Sequence, residues 1–166
     1  MSLHVLTLLV SNHFGVLMRV TTIFSRRTFN IKSLTVGETQ DPAVSRMSIL
    51  VEGEEEDIRM VKRLLSKQED VIIAAYSPIP QIINREMLLI KMQNTPKLNE
   101  KLAELQNTHH VVLIDASDDT VLMQVCSDVD GIIQFIETMS PYGILELCRS
   151  GVMAINAGEQ TLYNLS

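Results

Sequence analysis

The stretch Ser11-Asn12-His13-Phe14-Gly15 holds the residues best suited to grip a small molecule. An asparagine amide offers a donor and an acceptor, enough to bracket an α-amino group or a carboxylate. A glycine three positions on keeps the approach clear and opens backbone angles closed to other residues. An apolar run precedes this corner and an amphipathic one follows, so the corner falls where a helix begins. A helix start leaves backbone N–H groups without internal partners, and together with the helix dipole these hold a carboxylate. Val16 and Leu17 add aliphatic surface, which suits an amino acid with a small branched side chain. The same residues are also ordinary turn grammar at a helix entry. Asn30 stands just before a second strand expected to run beside the first, and so adds another amide. It is equally ordinary as a helix C-cap. From the residues alone, a ligand site and plain turn chemistry both stay open.

Other chemistry is poorly served. Ser11, Ser25 and Ser33 have no GxSxG context and no evident His–Asp partners. His109 and His110 adjoin, and strand neighbours point to opposite faces, so they do not share a metal without distortion. His4 and His13 stand apart from other ligand types. Asp115, Asp118 and Asp119 surround a hairpin turn, and turn chemistry accounts for them. No phosphate loop or dinucleotide fingerprint occurs. No catalytic residue and no metal site is assigned, and binding and regulation rank ahead of catalysis.

Composition narrows the field further. The chain has 166 residues, 46% apolar and 20% charged, which is a globular balance. Its net charge of −6, with no basic stripe, argues against a nucleic-acid partner. No apolar run approaches the roughly 18 residues that span a bilayer. The first residues lack a charged region and a small-residue cleavage site, so a cytoplasmic location is expected. Cys126 and Cys148 lie in apolar, strand-like stretches and read as reduced core thiols.

The elements that must position these residues follow from periodicity. Leu3 to Val10 reads as a strand. Gly15 to Arg27 has helical period, with Val16, Leu17, Val20, Ile23 and Phe24 on one face and Arg19, Thr22 and Arg26 on the other. Ile31 to Glu38 is a second strand, and TQDPA turns into Ser45 to Val51, where Met47, Ile49 and Val51 point inward. Glu54 to Asp57 open a second helix at its positive end, and Lys62, Arg63 and Lys67 occupy its later turns. Val71 to Ser77 is a fourth strand.

After SPIPQIIN, an extended linker, the pattern repeats. Arg85 to Gln93 is a strand and Lys97 to Leu105 a short helix. Val111 to Ala116 and Thr120 to Ser127 pair. A helix capped by Asp128 and stopped by Pro141 follows, then the strand Ile144 to Cys148. Strand, helix, strand, strand, helix, strand occurs twice. The expected fold is α+β, two ferredoxin-like βαββαβ sandwiches in tandem. In each, one sheet face carries the helices. The other, including alternate residues of Leu3 to Val10 and Val71 to Tyr76, needs cover from the other half or from another subunit. A symmetric dimer is the simplest such arrangement. The expected boundaries are residues 1–78, a linker at 79–84, a second domain at 85–155 and a mobile tail at 156–166.

The strings FNIKSLTVG and DPAVSRMSILVEG, with Asn12, Gly15 and VLMRV before them, resemble the N-terminal ACT domain of the acetolactate synthase (acetohydroxyacid synthase) small subunit family. REMLLIKM at 85–92 and ELCRSGVMAI at 146–155 match that family's second domain in order and spacing. The resemblance spans residues 3 to 155. It implies a non-catalytic regulatory subunit in branched-chain amino-acid biosynthesis. Such a subunit activates a separate catalytic subunit and confers feedback inhibition by a branched-chain amino acid, usually valine. Thiamine diphosphate, FAD and magnesium belong to the catalytic subunit, and this chain holds no cofactor. The effector sits where ACT domains pair in a homodimer. Its contact positions fall on Asn12, Gly15 and Asn30, with Val16, Leu17 and Ile31 lining the site. His13 and Phe14 stand where relatives carry smaller or acidic residues, and reshape that site. The alternative is a free-standing ACT-domain amino-acid sensor with a different partner.

Overall fold

The computed structural model describes residues 2–27, 29–105 and 110–164. Its contacts divide the chain into two units. One runs to Asn84 and resumes from Gly151 onward, and the other is Arg85–Ser150.

The first unit contains β1 (Ser2–Ser11), α1 (Val16–Arg26), β2 (Ile31–Glu38), β3 (Val44–Gly53), α2 (Glu55–Leu65) and β4 (Val71–Pro78). Its sheet has the order β2-β3-β1-β4, all neighbours antiparallel. Alternation sends Leu6, Leu8 and Val10 of β1, with Met47, Ile49 and Val51 of β3, to the helical face. There they meet Val16, Val20 and Phe24 of α1 and Ile58, Val61 and Leu65 of α2, spaced three and four apart as one helix stripe requires. Glu55, Glu56 and Asp57 sit in the first turn of α2 and Lys62 and Arg63 in its last, complementing the dipole at both ends.

The second unit repeats the plan with β5 (Ile83–Gln93), α3 (Pro96–Leu105), β6 (Val111–Ala116), β7 (Thr120–Ser127), α4 (Val129–Met139) and β8 (Ile144–Arg149). Its strands run β6-β7-β5-β8. Leu88, Ile90, Met92, Val121, Met123 and Val125 face Leu98, Ile132, Phe135 and Met139. Asp128 caps α4, its Oδ1 accepting from the Gly131 N–H at 2.7 Å. The fold is the expected pair of βαββαβ sandwiches. A short strand β9 (Met153–Ile155) follows.

Several expectations are corrected. β3 lies between β1 and β2, so the second strand does not run beside the first. In the first unit the sheet face away from the helices is not bare. Val5, Thr7, Leu9, Ser48 and Leu50 on that face are all buried. Residues 151–164, expected to end the second domain and trail off, return to cover it. Val152, Ala154 and Leu162 are buried. The Val152 N–H donates to Ser33 Oγ at 3.3 Å, and Arg46 Nη2 donates to the Ala154 carbonyl at 2.6 Å. Gly151 has φ +79°, and a Cβ there would lie 2.7 Å from Thr35 Oγ1. Apolar residues in a segment without periodicity thus supply part of the cover.

Residues 79–84 are not an extended linker either. Ile79–Gln81 form a 3-10 turn, and Ile79, Ile82 and Asn84 are buried. Cys126 and Cys148 are exposed, not core thiols. They pair with Met87 and Leu89, which alternate along β5 with the core residues Leu88 and Ile90, so strand parity turns them outward. Of the adjoining histidines, His109 lies outside the described residues and His110 is exposed.

Candidate functional site

The corner forms where β1 ends against two other segments. Ser11 N–H donates to the Asp70 carbonyl at 2.9 Å and Asn12 N–H to the Ala43 carbonyl at 2.7 Å. The Asn12 side-chain amide donates to Glu38 Oε1 at 3.0 Å and to the Pro42 carbonyl at 2.8 Å. Both amide hydrogens are thus used, which fixes the orientation of the group and leaves its Oδ1 to accept from a ligand. Thr39 and Asp41 stabilise the β2–β3 turn that receives Asn12: Asp41 Oδ1 accepts the Ala43 N–H at 2.9 Å.

Gly15 is the N-cap of α1, with φ 88° and ψ −9°, a left-handed conformation that favours glycine. No side chain caps α1, and no acidic residue sits in its first turn. The other helices differ. Acids fill the first turn of α2, Thr95 Oγ1 accepts the Leu98 N–H in α3 at 3.2 Å, and Asp128 caps α4. Among the α-helices of the described residues, the positive end of α1 is the one start left without compensation from its own segment.

The remaining corner residues divide sharply. His13 Nε2 contacts Asp70 Oδ1 at 2.8 Å, so the ring is turned toward Asp70. Phe14 is fully exposed, 100% of its surface open, and Leu17 and Met18 beside it are exposed as well. Val16 is 3% exposed and packs in the core, so only its backbone faces the corner. Sequence reasoning missed Arg19 and Asp70. Arg19 sits one helical turn after Gly15, its Nη1 3.3 Å from where a Gly15 Cβ would be. Its guanidinium pairs with the Asp70 carboxylate that also meets His13. The i,i+4 spacing from Gly15 was the available signal for Arg19. Asp70, 51 residues further on, had none.

Asn30 and Ile31 do not join this corner within one chain. Ile31 pairs with Val51, and Val51 with His4. Eight residue steps, along β1 and just past its end, separate His4 from Asn12, a span of about 26 Å. Asn30 instead lines a hollow of about 500 Å³ with Phe29, Lys32, Glu52 and Gly53, where Lys32 Nζ and Glu52 Oε2 pair at 2.9 Å. That ion pair holds the Glu52 carboxyl below its usual range. Ile31 is half-buried against the core.

Among the described residues no three His, Cys, Asp or Glu side chains gather closely enough to hold a metal ion. None of their helices is long and apolar enough to cross a membrane.

Residues 6–73 match the family model for an AHAS small subunit-like ACT domain, and residues 85–158 match the model for the small subunit of acetolactate synthase. A probable acetolactate synthase small subunit of Archaeoglobus fulgidus is 38% identical over 95% of this chain and 98% of the relative. The acetolactate synthase small subunit of Bacillus subtilis is 35% identical over 94% of this chain and 91% of its own. The crystal structure of the acetolactate synthase small subunit from Thermotoga maritima superposes with a TM-score of 0.82 at 27% identity, covering 96% of this chain and 100% of that one.

Proposed function

The chain belongs to the acetolactate synthase small subunit family, and from that membership we propose that it activates a catalytic subunit and makes it sensitive to a branched-chain amino acid, valine first. Thiamine diphosphate, FAD and magnesium serve the catalytic subunit in this reading, and the complex works in the cytoplasm. This chain contributes binding, not turnover.

One observation carries the effector site: the start of α1, uncapped and free of acids, opened by Gly15 at a positive φ. A ligand carboxylate complements that start. Asn12 Oδ1 then accepts from the ligand's ammonium group, while its amide hydrogens keep the side chain tied to Glu38 and Pro42. Leu17, with Phe14 and Met18, offers apolar surface for a branched side chain.

The open edge of β2 supports completion of the site by a second copy. The Asn12–Glu38 hydrogen bond places Asn12 at the last residue of β2, and Asn30 and Ile31 stand at its start. Two β2 edges paired antiparallel about a two-fold axis bring the start of one beside the end of the other. Asn30 and Ile31 of one copy then reach the Asn12–Gly15 corner of its mate. The homodimer is what unites residues about 26 Å apart in a single chain.

An effector acts only through its different affinity for two arrangements of the complex. A coupling of about 1–3 kcal/mol gives roughly 5- to 150-fold regulation. One methylene in an apolar pocket is worth about 1–3 kcal/mol, so leucine or isoleucine can share the site with valine. The test is a thermal-shift panel of amino acids on the purified chain, followed by acetolactate formation with the catalytic subunit added. Branched-chain amino acids are expected to raise the melting temperature and to inhibit only the complex. A flat panel together with uninhibited complex overturns the proposal.

A further inference from the structure

On the opposite face of the first unit's sheet a second cavity of about 440 Å³ lies under the returning segment. Leu9, Gln40, Arg46, Ile155, Gln160 and Leu162 line it. Arg46 projects from this face beside Leu9, its antiparallel partner on β1, and opposite Gly37 on β2, which has no side chain to crowd it. A guanidinium carries five N–H donors in a rigid fork. One of them is hydrogen-bonded, from Nη2 to the Ala154 carbonyl, and the Tyr163 phenol also lies near the group. Among the described residues no carboxylate forms an ion pair with Arg46. Burial pulls its pKa below the usual arginine range. The one carboxylate in the lining, Glu38, is already engaged by the Asn12 amide.

We propose that this cavity is a binding site for a small carboxylate with an apolar body, its carboxylate seated on the free donors of Arg46. The fork of a guanidinium matches two carboxylate oxygens. Leu9, Ile155 and Leu162 receive the hydrocarbon part, and Gln40 and Gln160 provide amide donors beside the charge. Those three apolar side chains favour an organic acid over inorganic phosphate. The cavity shares Glu38 with the Asn12 corner but does not include Gly15, and it stands whether or not an effector binds at that corner.

The test titrates the full chain with isovalerate and benzoate, with their neutral amides and with inorganic phosphate, by calorimetry and ligand-observed NMR. The two carboxylates are expected to bind saturably and the amides about 10- to 100-fold more weakly, the range for a hydrogen-bonded charge. Arg46→Gln is expected to abolish binding. Ile155→Trp, at a position 59% exposed and tolerant of bulk, is expected to block the cavity while leaving the melting temperature unchanged. Gly15→Asp is expected to leave binding intact. Equal binding of acid and amide overturns the proposal, as does saturable binding of phosphate alone. So does carboxylate binding that survives both Arg46→Gln and Ile155→Trp, or that is lost in Gly15→Asp.

Discussion

Replacing Gly15 by alanine and by aspartate separates backbone geometry from charge at the corner. Gly15 sits at φ 88°, and an L-residue in the left-handed region costs about 1–2 kcal/mol. The new Cβ meets only the end of the Arg19 side chain, at 3.3 Å, which can move aside. Alanine therefore costs about 1–2 kcal/mol, a fall of roughly 2–8 °C in melting temperature for a chain of this size. Aspartate tolerates the left-handed region better. Its carboxylate also gains about 0.3–1 kcal/mol at the start of a helix that has no acid of its own. The expected stability order is Gly, then Asp, then Ala. Effector affinity follows a different order. Alanine leaves the N–H groups in place, whereas aspartate sets a carboxylate where the ligand's must lie. Two like charges about 4 Å apart near a surface repel by about 4 kcal/mol, which removes measurable binding. Urea melts and calorimetric titration with valine read the two orders. Aspartate binding valine as well as alanine does would reduce the corner to turn chemistry. An alanine variant as stable as the parent would refute the backbone argument.

Asn12→Ala breaks exposed hydrogen bonds to Glu38 and Pro42. It should cost about 1 kcal/mol of stability and weaken effector binding by about 1–3 kcal/mol; a lower melting temperature with intact affinity would leave Asn12 a purely structural role. In the second unit Glu86 is fully buried, and Arg149 grips it with Nε–Oε1 at 2.8 Å and Nη2–Oε2 at 2.6 Å. Arg149→Met should cost about 3–5 kcal/mol in urea denaturation, and adding Glu86→Gln should recover part of that. Gly131→Ala in α4 gains about 1 kcal/mol of helix propensity, yet its Cβ would lie 2.2 Å from Ser127 Oγ. The melting temperature should fall rather than rise. Hydrogen bonds from Arg59 and then Tyr76 hold the Glu55 carboxyl below its usual range. Its stabilisation is complete above the ordinary carboxylate pKa and is lost as pH falls through the depressed value. Melts across that window should show Glu55→Gln and the parent converging in acid.

The two sandwiches were legible because strands and helices with opposite periods alternate in the same order twice. Thr120–Ser127 and Val111–Ala116 fall where alternation placed them, and Asp128 caps the helix it was expected to cap. The Asn12–Gly15 corner was legible for the same local reason. What was missed is nonlocal. Strand order is set by which edges find partners, so β3 came between β1 and β2 with no sign in either strand. The distance between Asn12 and Asn30 follows from that order. Cys126 and Cys148 were read by their apolar neighbours, whereas parity along a strand decides which way they turn. Residues 151–164 carry no period, so Val152, Ala154 and Leu162 gave no signal of the surface they cover. The Arg19–Asp70 and Glu86–Arg149 pairs join residues 51 and 63 apart, as their hydrogen bonds record.

The interrupted chain path of the first unit also sets a timetable for synthesis. Domains ordinarily fold as units while the polypeptide is still being made, the earlier one first. Here the opening sandwich can assemble its strands and helices early, but part of the back of its sheet waits for residues 151–164, with the whole of the other sandwich translated in between. Until that stretch leaves the ribosome, Leu9 lacks the apolar surface of Ile155 and Leu162 beside it, and Ser33 and Arg46 lack their hydrogen-bond partners in Val152 and Ala154.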